Sequence, residues 1–177
     1  MPQGEDELVE HAGNGNNAAF EKLYYLYEKP LFRFVVYLSG QQYLAEELFQ
    51  ETWLRAAKHF RNKKQVSSFK SWLFTIAVNL YRDELRKSKI RRFFLGDEEP
   101  EPRFQNNFTD FEIRDELNEA IQSLSEKQRT VFILFYVEGM KISEVSQIVG
   151  RTEGTIKATL HQTIKKLRKE LKEFKNG

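Results

Sequence analysis

Thr155, Lys157, Ala158, His161, Gln162, Lys165 and Lys169 set a hydroxyl, an imidazole, an amide and three ammonium groups along one short stretch of chain. Such groups donate to acceptors and anions; none is a nucleophile with a neighbouring base. Threaded between them, Ile156, Leu160, Ile164, Leu167 and Leu171 recur every three or four residues and so share one side of a helix. A helix buried on that side turns small polar and cationic groups outward. That face can read base edges in a DNA major groove and pair with the flanking phosphates.

The preceding residues position this helix. Val145, Ile148 and Val149 give a short first helix its apolar face, with Ser143 as the expected N-cap. Gly150 ends it, because glycine enters a left-handed cap without steric cost, and Thr152 caps the longer helix. Short helix, glycine turn and long helix make a helix-turn-helix. A merely solvated face on a helical hairpin would give the same local pattern.

A second polar face lies within Phe69 to Arg92. Phe69, Trp72, Leu73, Ile76 and Leu80 form a buried side, while Thr75, Asn79, Arg82, Arg86 and Lys89 line up at spacings of four and three. An amide, a hydroxyl and cations beside an aromatic suit phosphates and unstacked bases. Trp72 also reads as ordinary core. The basic loop RNKKQVSS, with Lys63 and Lys64, precedes this helix.

The helix expected over Leu44 to Phe60 has a core stripe of Ala45, Leu48, Phe49, Thr52, Trp53 and Ala56, with Glu46, Glu47, Gln50 and Glu51 opening its outer face. Glu47 and Glu51 are like charges at i,i+4, which costs an isolated helix roughly 0.2–0.5 kcal/mol. Either the face is simply solvated, or it docks a basic partner. Upstream, Leu8, Val9 and Ala12 share a side of a short helix. A long helix from Phe20 to Leu38 follows, with Pro30 expected to kink it and Gly40 to stop it.

The chain of 177 residues is 40% hydrophobic and 31% charged, with a net charge of +2 that hides strong segregation along its length. Asp97, Glu98, Glu99 and Glu101 cluster around Pro100 and Pro102, the composition of a flexible acidic linker over 95–111. The expected fold is therefore all-α, with two small helical domains, 1–94 and 112–177, joined by that linker. With no cysteine, disulfides and thiolate metal sites are excluded, and no apolar run approaches the roughly 20 residues of a membrane span. The acidic N-terminus lacks the layout of a signal peptide, so a cytoplasmic protein without membrane insertion is expected.

Several motifs together resemble the compact extracytoplasmic-function sigma factors of the sigma-70 family. Ala18-Ala19-Phe20, Leu23-Tyr24 and Tyr27 fit A-x-F-x-x-L-Y-x-x-Y. The run AEELFQETW, Ala45 to Trp53, fits the acidic motif of that family. Trp72-Leu73, Ile76-Ala77, Asn79, Asp83 and Arg86 fit W-L-x-x-I-A-x-N-x-x-x-D-x-x-R, and EGTIKATLH, Glu153 to His161, fits the second-domain signature. Leu44 replaces a frequent aspartate, and Thr159 and Gln162 stand where arginine is frequent.

The resemblance implies a transcription initiation factor that takes core RNA polymerase to promoters, recognises the minus-ten and minus-thirty-five elements, and promotes strand separation. Glu46, Glu47, Leu48, Gln50 and Glu51 would bind the polymerase. Lys63, Lys64, Trp72, Thr75, Asn79, Arg82 and Arg86 would engage the minus-ten element and the melted non-template strand. Thr155, Lys157, Ala158, His161, Gln162, Lys165 and Lys169 would read double-stranded DNA at the minus-thirty-five element. An anti-sigma factor is a further implied partner; no cofactor, metal or catalytic residue is implied.

Two other classes fit parts of the chain. An autonomous helix-turn-helix repressor or activator leaves the acidic motif and the tryptophan–asparagine helix without a purpose. An enzyme would need a catalytic cluster, but His11, His59 and His161 fall in separate segments and no phosphate loop stands out.

Overall fold

The computed structural model describes residues 4–62, 64–96 and 115–176. Among these every regular element is helical: α1 (Glu5–Gly13), α2 (Asn17–Ser39), α3 (Gln42–Arg61), α4 (Phe69–Leu95), α5 (Asp115–Gln122), α6 (Glu126–Phe132), α7 (Ile142–Val149) and α8 (Glu153–Asn176). A π-helical turn, Ile133–Val137, continues α6. The all-α expectation holds. The linker begins later than expected, since Leu95 still belongs to α4 and Gly96 caps it at φ 64°. The remainder of the acidic linker lies outside the described residues, as does Lys63.

The first four helices pack around α2. Asn16 caps α2, its Oδ1 accepting from the N–H of Ala19 at 3.1 Å, and Gly40 ends it in the left-handed conformation at φ 68°. Pro30 lies inside α2 and cannot donate to Leu26, which is 44% exposed and so close to water. Aromatic rings fill the space between α2, α3 and α4. Trp53 meets Tyr24 at 4.7 Å and Phe20 at 6.1 Å, and Phe69 meets Tyr27 at 5.4 Å. Each such pair adds about 0.5–1.5 kcal/mol beyond its buried area. Burial, aided by a hydrogen bond to Glu5, pushes the Tyr27 phenol well above its ordinary range.

In the second set, Ser125 and Gln128 form a capping box at the start of α6, as the run Ser125 to Gln128 would predict. The N-cap of α7 is Lys141 rather than Ser143. The Lys141 N–H donates to Glu144 Oε2 at 2.7 Å, so the glutamate carboxylate closes the turn and Ser143 sits inside the helix. Gly150 ends α7 at φ 68°, and Thr152 Oγ1 accepts from the N–H of Thr155 at 3.3 Å. Ile156, Leu160 and Leu167 of α8 are buried against α5, α6 and α7. Thr163 joins them at 0% exposure, its hydroxyl bonded to the carbonyl of Thr159 at 2.7 Å.

Candidate nucleic-acid interface

On α8 the face read from sequence is intact. Thr155, Lys157, Ala158, His161, Gln162, Lys165 and Lys169 are all exposed. Threonine hydroxyls brace this helix: Thr155 and Thr152 share a hydrogen bond at 2.9 Å, and Thr159 bonds back to the Thr155 carbonyl at 2.8 Å. Thr155 Oγ1 therefore already has a protein partner. Further along, His161, Lys165, Arg168, Lys169 and Lys172, with Ile164, line a basic cavity of about 390 Å³. Arg168 and Lys172 were not among the sequence-derived contacts. Their i+3 and i+7 spacing from Lys165 is the signal that could have found them.

The stripe on α4 is different. Asn79 and Arg86 are exposed, but Trp72, Thr75 and Arg82 are half-buried. Trp72 lies 4.5 Å from the His59 ring and meets Phe60 edge-on at 5.8 Å, so it is neither fully core nor a free platform. The Thr75 hydroxyl donates to the Ser71 carbonyl at 2.7 Å. Arg82 Nε donates to Glu126 Oε1 of α6 at 3.3 Å, and Arg86 pairs with Asp83. Burial holds His59 below the usual imidazole range, with Lys64 adding to the effect. Lys64 is exposed in the loop before α4, while Gln65 reaches back to the Glu10 carbonyl at 3.4 Å.

The acidic face of α3 presents Glu46, Glu47 and Gln50 exposed and Glu51 partly so. Leu48 does not belong to this face: at 2% exposure it lies in the core and holds the helix in place. Two ties within α3 relieve the crowding of acids. Gln42 Nε2 donates to Glu46 at 2.9 Å, and Arg55 Nε donates to Glu51 at 2.8 Å. Tyr43 and Leu54, exposed at 79% and 65%, extend this face at either end. The sequence pattern concealed them, because single surface apolar residues are common.

Among the described residues, an all-helical fold with a bare helix-turn-helix, a second polar helix beside aromatics and a separate acidic face suits a DNA-binding transcription factor. Residues 23–91 match the Sigma-70 region 2 family, and residues 114–167 match Sigma-70, region 4. The extracytoplasmic-function (ECF) RNA polymerase sigma factor SigX of Bacillus subtilis is 30% identical over 86% of this chain and 83% of its own length. BldN of Streptomyces coelicolor, another such factor, is 30% identical over 91% of this chain, which spans 63% of that longer protein. The solved sigma factor RpoE of Bartonella quintana, in complex with the anti-sigma factor NepR, superposes with a TM-score of 0.73 at 26% identity, covering 86% of this chain and 96% of that one. The chain belongs to the ECF sigma factors of the sigma-70 family and is a promoter-directing transcription initiation factor. No described helix is long and apolar enough to cross a membrane.

Proposed function

We propose that α3 docks on core RNA polymerase through Glu46, Glu47, Gln50 and Glu51, that α4 engages the minus-ten element, and that α8 reads the minus-thirty-five element. The observation that carries this is the division of exposed chemistry. The acids gather on α3, while amide and cationic groups gather on α8 and on the outer side of α4. Lys63, Lys64, Trp72, Thr75, Asn79, Arg82 and Arg86 form the minus-ten set, with Asn79 the amide best placed to bond an extruded base. On α8, Gln162 can pair with a base edge while Lys165 and Lys169 meet phosphates. The chain supplies binding and leaves catalysis to the polymerase. It acts in the cytoplasm, where an anti-sigma protein, like the one bound to RpoE, restrains it.

Run-off transcription with core polymerase on a promoter library tests this reading, paired with binding of wild type and Glu47→Lys to core enzyme. A charge-assisted contact contributes roughly 1.5–3 kcal/mol, so Glu47→Lys should weaken core binding at least about tenfold with its melting temperature unchanged. Unchanged affinity would make the acidic face an ordinary solvated surface.

A further inference from the structure

The stripe of α4 continues past its last cation. Thr75, Asn79, Arg82, Arg86 and Lys89 follow one another at steps of four, three, four and three, and the next step of four falls on Phe93. Phe93 is 84% exposed, Phe94 75% and Ile90 57%, three large apolar side chains within five residues. Single apolar residues on a surface are ordinary, but a cluster rimmed by charge is the pattern of a contact site. The helix is regular here: the Gly96 N–H donates to the Arg92 carbonyl at 3.2 Å, and Gly96 closes α4 in the left-handed conformation.

The surroundings say what kind of partner the cluster fits. Lys87, Lys89, Arg91 and Arg92 are exposed around the rings, so the rim favours an anion. Cations at a helix C-terminus also suit its dipole, but that gives no reason for bare rings beside them. Phe93 and Phe94 stand 5.2 Å apart at 87°, an edge-to-face pair that occupies one ring face and leaves others open to stacking. Trp72, the aromatic near the opposite end of the stripe, is half-buried against His59 and Phe60. Phe93 already faces solvent. Fourteen residues separate it from Asn79, roughly 21 Å at about 1.5 Å per residue, or about six bases at a stacked spacing of ~3.4 Å. Exposed rings interleaved with cations along one track are the chemistry that holds unpaired bases and their phosphates. A lipid surface or a protein groove would take the rings for their apolar area alone, without reason for their alignment with Asn79 and Lys89.

We propose that Phe93, flanked by Phe94 and Ile90, is a second stacking site for an unpaired base of the melted promoter strand, within about six bases of the base held by Asn79, with Lys89 on an adjoining phosphate. This rests on the minus-ten reading above and extends its site by one helical end. Asn79 supplies hydrogen bonds that distinguish bases, whereas a ring face accepts any base, so the Phe93 site holds the strand open without adding sequence preference.

The test uses holoenzyme and a fluorescein-labelled single-stranded oligonucleotide, carrying a minus-ten element selected by run-off transcription and flanked by mixed sequence. Phe93→Ala should weaken binding about fivefold or more, the loss of one stacked base. Phe93→Trp should retain the affinity, while Phe93→Leu, which keeps apolar area but no ring, should not. An abasic site walked along the oligonucleotide should find one position whose loss costs wild type but costs Phe93→Ala nothing further. That position should lie within about six bases of the one absorbed in the same way by Asn79→Ala. The log-affinity against log-salt slope should be unchanged in Phe93→Ala and flattened by about 0.7 in Lys89→Ala. Core polymerase binding and melting temperature should match wild type in each variant. Full affinity in Phe93→Leu, or abasic losses that add to Phe93→Ala at every position, overturns the stacking site. Weakened core binding would assign the rings to the polymerase. Phe93-dependent binding of the chain to phosphatidylglycerol vesicles, without abasic coupling, would assign them to lipid; either result overturns the proposal. Coupling to Asn79 with none to Phe93 overturns the stacking site alone, whereas an oligonucleotide indifferent to Asn79→Ala at every position overturns the minus-ten reading itself.

Discussion

The two helices assigned to DNA meet solvent in opposite ways. The face of α8 is bare: its seven assigned side chains are exposed, and the buried stripe behind them is fixed by Ile156, Leu160, Thr163 and Leu167. The stripe of α4 is committed elsewhere, with Trp72 against His59, Thr75 on Ser71, Arg82 on Glu126 and Arg86 on Asp83. A duplex groove accepts a rigid convex helix as it stands. If α4 engages an unpaired base as proposed, Trp72, Thr75, Arg82 and Arg86 must exchange protein partners for nucleic acid, whereas Asn79 is already exposed.

The largest contrast should appear in salt dependence. Replacing Lys165, Arg168, Lys169 and Lys172 with alanine removes up to four phosphate contacts, flattening the log-affinity against log-salt slope by about 0.9 per contact on duplex. Removing Arg82 and Arg86 should flatten it by less than their number predicts, because each already neutralises an acid of this chain. Equal flattening per charge would erase the distinction. Within α8, Gln162→Ala should instead narrow the preference between the best and second-best upstream elements by about 1–3 kcal/mol, leaving the slope alone. These measurements belong on the holoenzyme, where the proposed roles of α4 and α8 are tested on one promoter.

Asn79 sharpens the comparison from the other side. It is the exposed amide of the α4 stripe, with neighbours at i−4 and i+3 tied up in protein contacts. Loss of its bonds to an extruded base should cost about 1–3 kcal/mol. Asn79→Ala should slow open-complex formation more than first binding, and a template with a preformed bubble should recover the melting step but not the base preference. Wild-type opening by the mutant would remove Asn79 from the role.

What the sequence made legible was local. The α8 face, the Gly150 turn, the capping box and the Trp53 core all follow from spacings within a few turns of helix. Contacts across the chain were hidden: Arg33 Nε donates to Glu138 Oε1 at 2.9 Å across 105 residues, and periodicity says nothing about which helix meets which. One trace was present: FVVYL is apolar around the whole helix, a pattern that asks for cover on two sides. Thr163 escaped notice because a threonine that bonds its own helix is as buriable as a valine. Leu48 reads as core by its period with Ala45 and Thr52 and is buried as that period requires; only the resemblance placed it among the polymerase-binding residues. The π-helical turn has no periodic signature at all.

The smallest effect concerns what Trp72 would leave behind on moving to DNA. The His59 ring lies 4.5 Å from it, and two forces on the imidazole oppose each other. An imidazolium over an aromatic face is attracted to it, which would raise the pKa. Burial disfavours the charge, and nearby Lys64 repels it; these prevail over the bond the ring donates to the Gln65 backbone carbonyl and hold the pKa below its ordinary 6.5. The folded state then binds fewer protons than the unfolded chain, so stability rises with pH through this window. The contribution is full above about 6.5 and lost as pH falls through the depressed value. Wild type should therefore melt at a lower temperature at pH 5.5 than at pH 7.5, and His59→Gln should shrink that difference. Most carboxylates titrate below this range, near 4; burial raises the Glu138 carboxyl, so the comparison of wild type with His59→Gln is what isolates the imidazole. A ring-proton NMR titration of His59 should give a midpoint under 6.5 that moves upward in Lys64→Ala. A midpoint above 6.5 would mean that the attraction of Trp72 prevails, and that Trp72 is held to the protein more firmly at low pH than its half-buried position implies.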